Sequence, residues 1–323
     1  MRSGIICLVH AREAKHAMSM TPQQLKDAVP RGMLSFPLTD FDANDAFDAK
    51  ACARRLEWLS GYPSSALFMA GGAGEFFSLT PAEFSAVIAT AVQVCGGKTP
   101  IIAGTGYGTR TAIEYAQEAE RLGADGLLLM PPYLVEASQE GLHAHITAIC
   151  AATRLGVIIY NRANCRLAAA TTARLANDCP NLVGFKDGVG DLELLAATRA
   201  AVGDRLLYIN GMPTAETYAA AFRAAGVVTY SSAVFNFIPR TALRFHAAIN
   251  ARDDATVDAL MKDFFVPYVR LRARQPGYAV SIVKAGAEIV GRGAGKVRPP
   301  LSDCTAEEIR ELNALIETLG PQD

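Results

Sequence analysis

The chain predicts an α/β fold, a (β/α)8 TIM barrel with a C-terminal helical appendage, and three observations predict it. Short apolar runs alternate with helix-period stretches eight times between residues 29 and 250. Eight such units in about 220 residues match a barrel of about 250, whereas a doubly wound sheet needs only about five or six. No Gly-x-Gly-x-x-Gly opens a helix, and the strand pattern stops after Asn250.

Each element follows from local pattern. Met33–Leu38 reads as the first strand and Asp48–Ser60 as its helix, with Ala51, Leu56 and Leu59 on one face. Ala66–Ala70 is a second strand, stopped by Gly71-Gly72-Ala73-Gly74-Glu75. The next helix opens at Thr80-Pro81-Ala82-Glu83, where a cap residue, a proline at the first helical position and a glutamate three residues after the cap coincide. Ile101–Gly104 and Thr109–Leu122, Gly126–Met130 and Gln139–Thr153, Val157–Tyr160 and Thr171–Asn177 continue the alternation. Val183–Lys186 and Leu192–Val202, Leu206–Ile209 and Pro213–Ala225, Val227–Tyr230 and Pro239–Asn250 complete it. Asp253–Arg274, Ala279–Val290 and Thr305–Leu319 read as helices with no strand between them. The expected organisation is an N-terminal extension over residues 1–28, loosely ordered, a barrel over 29–250 and a helical region over 251–323.

Composition bounds the function. The 323 residues are 50% hydrophobic with a formal net charge of −1, and no dense basic run argues for nucleic acid. Seven cysteines, at 7, 52, 95, 150, 165, 179 and 304, form no Cys-x-x-Cys pair and read as reduced thiols of a cytoplasmic protein. His143-x-His145 would place its rings on different helix faces, so no metal site is expected. No apolar stretch approaches the roughly 20 residues of a membrane span. Ile5–Val9 is shorter than a signal-peptide core, and Met18 or Met20 are alternative starts, so no secretion signal is expected.

Chemistry in a barrel collects at the C-terminal strand ends. Those ends offer Ser35 and Thr39, Gly71–Glu75, Gly104 and Thr105, Pro132 and Tyr133, Tyr160 and Asn161, Lys186, Asn210 and Gly211, and Ser231 and Ser232. Lys186 closes the apolar run Leu182-Val183-Gly184-Phe185 and precedes Asp187-Gly188. Taken alone, this stretch fits either a lysine reaching out of a strand end or a buried amine. Burial lowers a lysine pKa and leaves a nucleophile suited to Schiff-base chemistry on a ketone. The ring holds one lysine, two tyrosines and small hydroxyls, with neither a histidine nor a carboxylate pair. An amine nucleophile with a phenolic proton shuttle fits that inventory best.

At these residues the chain resembles the pyruvate-dependent class I aldolases, the superfamily of dihydrodipicolinate synthase and N-acetylneuraminate lyase. The resemblance rests on Gly71–Glu75, Tyr160-Asn161, Gly184-Phe185-Lys186-Asp187 and the helix start Ser138–Gly141, and it covers about residues 28 to 320. It implies that Lys186 forms the imine, that Tyr160 is the acid/base group over it, and that Gly72, Ala73 and Gly74 hold the α-keto carboxylate. No cofactor is implied, and a homo-oligomer, dimer or tetramer, is.

Departures from the synthases point to one branch. Gly72 and Ala73 stand where two threonines grip the carboxylate, so backbone N–H groups must do more of the holding. Leu134 stands where a relay tyrosine is expected, and Tyr160-Asn161-Arg162-Ala163-Asn164 lacks the usual proline. Ser35-Phe36-Pro37 in the first strand and Phe185-Lys186-Asp187-Gly188-Val189-Gly190-Asp191 resemble the members that act on a sugar diacid. That resemblance implies dehydration and decarboxylation of 5-dehydro-4-deoxy-D-glucarate to 2,5-dioxopentanoate. The alternative is a carbon–carbon lyase or synthase acting on another 2-keto acid. Arg166, Asn164, Ser231, Ser232, Ser35 and Gly211 are the expected contacts to the rest of the substrate.

Overall fold

Eight parallel strands close into a barrel in sequence order, in a computed structural model that describes residues 20–133 and 136–321. The strands are β1 (Leu34–Ser35), β2 (Ala66–Met69), β3 (Ile101–Thr105), β4 (Gly126–Leu129), β5 (Gly156–Asn161), β6 (Leu182–Asp187), β7 (Leu207–Asn210) and β8 (Thr229–Ser232). The predicted (β/α)8 barrel is therefore the fold. β1 is shorter than its apolar run, because pairing with both β2 and β8 is confined to Leu34 and Ser35.

The register separates two faces. Leu34 pairs with Ala66 and Ser231, Ile158 with Gly184, and Lys186 with Ile209. Partners across a parallel ladder share a face, so these residues all point inward. Leu34, Phe36, Phe68, Ile102, Leu128, Ile158, Leu207 and Ile209 pack there as the barrel's own core. The alternate positions, Leu67, Ile101, Leu127, Val157, Ile159 and Phe185 among them, pack outward against the helices.

The inner core is closed from below by α1 (Pro22–Ala28), whose Thr21 cap and Gln24 form a reciprocal capping box. Leu25 is fully buried, and side chains added at Gly126 or Gly156 would approach its Cδ2 to 2.3 and 2.9 Å. The loose extension expected up to residue 28 is thus corrected from Pro22 onward: an apolar residue that plugs a barrel floor orders the helix carrying it. Residues 1–19, with the expected alternative starts at Met18, lie outside the described residues.

The outer helices are α2 (Ala49–Leu59), α3 (Pro81–Cys95), α4 (Thr109–Leu122), α5 (Gln139–Ala151), α6 (Ala169–Asp178), α7 (Leu192–Val202), α8 (Ala219–Ala224) and α9 (Pro239–Ala251). The predicted cap at Thr80 and Glu83 forms in both directions. The stretch read as one helix over 213–225 is a 3-10 turn at Ala215–Tyr218 followed by the short α8.

Past α9 the chain is helical: α10 (Asp254–Leu260), a π turn at Met261–Phe265, α11 (Val266–Arg272), α12 (Tyr278–Ile289) and α13 (Ala306–Glu317). Phe264, Phe265, Tyr268, Ile282 and Val283 pack with Tyr230, Phe235, Phe237 and Phe245, so this region covers the β8 side of the barrel. The six described cysteines are all buried and free.

Candidate active site

Lys186 and Tyr160 are register partners on β6 and β5, both facing inward near the strands' C-terminal ends. Lys186 is 3% exposed, and its Nζ lies 3.7 Å from the Tyr160 ring centroid and 5.1 Å from that of Phe36. Among the described residues no carboxylate lies within ion-pair distance of it. Burial therefore dominates and lowers its pKa from the usual lysine value, despite the favourable Tyr160 phenol. Gly211 makes room: a Cβ there would sit 2.7 Å from Lys186 Cγ and 2.9 Å from Nζ.

The phenol of Tyr160 is held from two directions. It donates to the Gly211 carbonyl at 2.8 Å and accepts from Arg162 Nη1 at 2.9 Å. Burial alone would raise its pKa, but the charges of Lys186 and Arg162 outweigh burial and bring it below the ordinary tyrosine value. A lowered phenol beside a lowered amine is the pairing that imine formation and proton transfer at neutral pH require.

The neighbouring outward residues fix these two. Asn161 donates to Asp187 Oδ1 at 3.1 Å, and its own Oδ1 accepts from Leu167 N at 2.9 Å. Asp187 also accepts from the N–H groups of Val189 and Gly190. The chain after Tyr160 is a tight turn in which Arg162 and Cys165 exchange backbone bonds, with Ala163 at φ +49°. That turn carries Arg162 back over Tyr160, its guanidinium 5.8 Å from the ring centroid. Sequence reading passed over Arg162 in favour of Arg166; the apparent loss of a proline here was the only local sign that the turn differs.

The glycine-rich loop after β2 lies on the other side of Lys186, reached through Phe36, whose ring a Cβ at Gly71 would approach to 2.8 Å. Gly72 is exposed with open space around it, Ala73 is half-buried, and the Gly74 carbonyl accepts from Thr39 Oγ1 at 2.6 Å. Glu75, with φ +54°, turns inward and meets Lys284 of α12 at 2.7 Å, both side chains buried. Glu75 Oε2 accepts from Arg298 N at 3.0 Å, and Lys284 donates to the Lys296 carbonyl at 2.8 Å. Lys284 is as buried as Lys186. Burial lowers the Lys284 pKa as well, against the raising effect of Glu75, but its amine is occupied by that carboxylate and the Lys296 carbonyl, whereas Lys186 has no acid partner among the described residues.

The other expected contacts divide. Ser231 shares the inward face through Leu34 and is half-buried. Ser35 and Ser232 pair with each other on the outward face and are corrected as substrate contacts, because strand parity turns them to the helix layer. Ser232 Oγ donates to Glu216 Oε1 at 2.5 Å, and Ser35 Oγ is buried without a partner. Burial raises the Glu216 pKa to about 7. Asn164 is half-buried within the 162–165 turn. Arg166 has a side chain 59% exposed and 4.0 Å from Asp191, so it lies outside the cluster around Lys186. Thr105 is spent on the Ala112 carbonyl, and Tyr133 is 66% exposed. Leu134 lies outside the described residues.

Among the described residues no three His, Cys, Asp or Glu side chains gather as metal ligands, His143 pairs with Asp178, and no helix is long and apolar enough to cross a membrane.

Comparisons with known proteins match the family and the fold. The model of the dihydrodipicolinate synthetase family matches residues 29–319. The chain is 58% identical over 303 residues to a probable 5-dehydro-4-deoxyglucarate dehydratase of Leptothrix cholodnii, covering 94% of this chain and 100% of that one. It is 59% identical, over the same shares, to the protein so described from Ectopseudomonas mendocina. A dihydrodipicolinate synthase from Bacillus clausii superposes with a TM-score of 0.84 at 24% identity, over 92% of this chain and 100% of that one. The chloride-inhibited synthase of Acinetobacter baumannii complexed with pyruvate superposes with a TM-score of 0.79 at 27% identity, over 90% and 99%.

Proposed function

The chain belongs to the dihydrodipicolinate synthetase family, and from that premise we propose that it is a lyase that dehydrates and decarboxylates 5-dehydro-4-deoxy-D-glucarate to 2,5-dioxopentanoate, water and CO2. One observation carries the reading: a buried lysine with no acid partner, its amine against the face of a tyrosine whose phenol is held by an arginine. The full-length relatives at 58% identity support the substrate.

The residues fit the steps. Numbered from the α-keto carboxylate, the substrate has its ketone at C2, hydroxyls at C4 and C5 and a second carboxylate at C6. The Lys186 amine attacks C2, and loss of water gives an iminium. The iminium acidifies C3, and a proton passes from C3 to Tyr160 or to a water it orients. The resulting enamine expels the C4 hydroxyl as water, taking a proton from the same group. The C3=C4 double bond now conjugates with the iminium, so the electrons of the C5–C6 bond can move inward as CO2 departs. Protonation at C4 and C3 gives the C5 aldehyde and restores the iminium, which water hydrolyses. The iminium is itself the electron sink, so these steps call for no metal or organic cofactor.

Gly72, Ala73 and Gly74 would hold the α-keto carboxylate by backbone N–H groups, with Ser231 on the inward wall. The reading includes a cytoplasmic homo-oligomer. Exposed Tyr133, its ring 6.4 Å from that of Tyr107, extends the Phe76–Tyr107 stack to the surface, where a subunit contact would cover it. Purified protein given 5-dehydro-4-deoxyglucarate is expected to release CO2 and an aldehyde. Pyruvate release instead would make it a carbon–carbon lyase. Borohydride added with substrate is expected to fix an adduct on Lys186 in peptide mass spectra; an adduct on Lys284, or none, would remove the assignment.

A further inference from the structure

We infer that Arg162 forms the subsite for the carboxylate at the far end of the substrate, and that this group, rather than Arg166, selects a diacid. The inference rests on the Schiff-base reading above and deepens it.

The site has two ends. Lys186 fixes the position of C2, and the Gly71–Glu75 loop lies off β2, across the barrel from β5. A substrate whose C1 carboxylate goes to that loop extends C3 to C6 away from it. Arg162 stands there: Nη1 bonds the Tyr160 phenol at 2.9 Å, and Tyr160 covers Lys186. Guanidinium carries several N–H donors in a fixed fork that suits a carboxylate. Among the described residues, Tyr160 is the only side chain bonded to that fork, and no Asp or Glu is paired with it. Most arginines near this mouth are otherwise engaged. Arg166 faces Asp191 at 4.0 Å, Arg298 is tied to Asp45 and Glu83, and Arg55 is tied to Asp40.

The turn that presents Arg162 is built for it. Backbone bonds in both directions between Arg162 and Cys165, the left-handed Ala163, and Asn161 Oδ1 on Leu167 N hold the loop in one shape. A positioned cation needs little ordering when the anion arrives. Its bond to Tyr160 also couples the two groups. A bound carboxylate neutralises part of the charge that lowers the phenol, and departure of that carboxylate as CO2 restores it. The phenol is then a stronger acid when carbon has to be protonated.

The test compares two keto acids of equal length, 2-oxoadipate and 2-oxohexanoate, which differ only in the terminal carboxylate. Half-saturation for borohydride trapping on Lys186 is measured for each, and their ratio cancels effects on the lysine and tyrosine common to both. Wild-type protein is expected to favour 2-oxoadipate by about ten- to a hundredfold, the scale of a charged hydrogen bond. Arg162→Ala is expected to bring the ratio near one, Arg162→Lys to recover part of it, and Arg166→Ala to leave it within about threefold. A preference retained by Arg162→Ala, or abolished by Arg166→Ala, would overturn the assignment. If wild-type protein traps neither acid on Lys186, the Schiff-base reading itself fails and this subsite with it, a result distinct from trapping without preference.

Discussion

In the proposed mechanism Tyr160 accepts a proton from carbon and returns one within a single turnover, and its surroundings suit both steps. Its hydrogen goes to the Gly211 carbonyl, while the oxygen takes a charged donor from Arg162. Tyr160→Phe is expected to lower kcat by about 10²–10⁴-fold, the usual scale of general acid–base catalysis, while borohydride still traps keto acid on Lys186. A loss of only a few-fold in steady-state kinetics would make the ring a packing element. The placement of Lys186 was legible in sequence because a lysine ending an apolar strand is physically expensive, and so conspicuous, and that of Tyr160 because it ends the neighbouring strand. Arg162 was not, since an arginine in a polar loop costs nothing; only the 162–165 turn brings it back over the ring. Ser35 and Ser232 were misread for a different reason. Which hydroxyl of a strand end faces the cavity depends on register between strands, which no single strand's pattern records.

At the level of elements, the Gly71–Glu75 loop, proposed to hold the α-keto carboxylate, is anchored to a helix outside the barrel. Glu75 and Lys284 are buried together at 2.7 Å, and removing one partner leaves the other uncompensated. Lys284→Met is expected to destabilise by about 3–5 kcal/mol in chemical denaturation. Adding Glu75→Gln to that variant should recover a large share, because the orphaned charge goes while the acceptor for Arg298 N stays. If the double variant is less stable than the single, the pair is not the anchor described here. Helix positions were readable from caps and apolar spacing, as at Thr80 and Glu83. The ordering of α1 was not, because Leu25 matters only once the barrel above it exists to be plugged.

At the scale of the whole molecule, a buried acid, Glu216, links folding to pH. Its pKa is raised to about 7 by burial, and its second oxygen has no partner. A folded pKa above the unfolded value means that the fold binds this proton more tightly. The associated stability is present below about 4.5 and is lost as pH rises through about 7. The charge of Arg272 moderates that loss, while Tyr230 and Tyr268 lie close by and stay protonated. Glu216→Gln is expected to gain thermal stability over wild type as pH goes from 5 to 8, by on the order of 3 kcal/mol. A difference between the two proteins that is flat with pH would show that Glu216 does not titrate in this window. Glu75 has its own whole-chain consequence through its partners Lys284 and Arg298, which are made after the last barrel strand. During synthesis, then, a ribosome-bound chain can display all eight strands while Glu75 still lacks its counter-ion. The glycine-rich loop gains its anchor only once the final helices are made, so a stalled or clipped product would be a barrel in outline with that loop untethered.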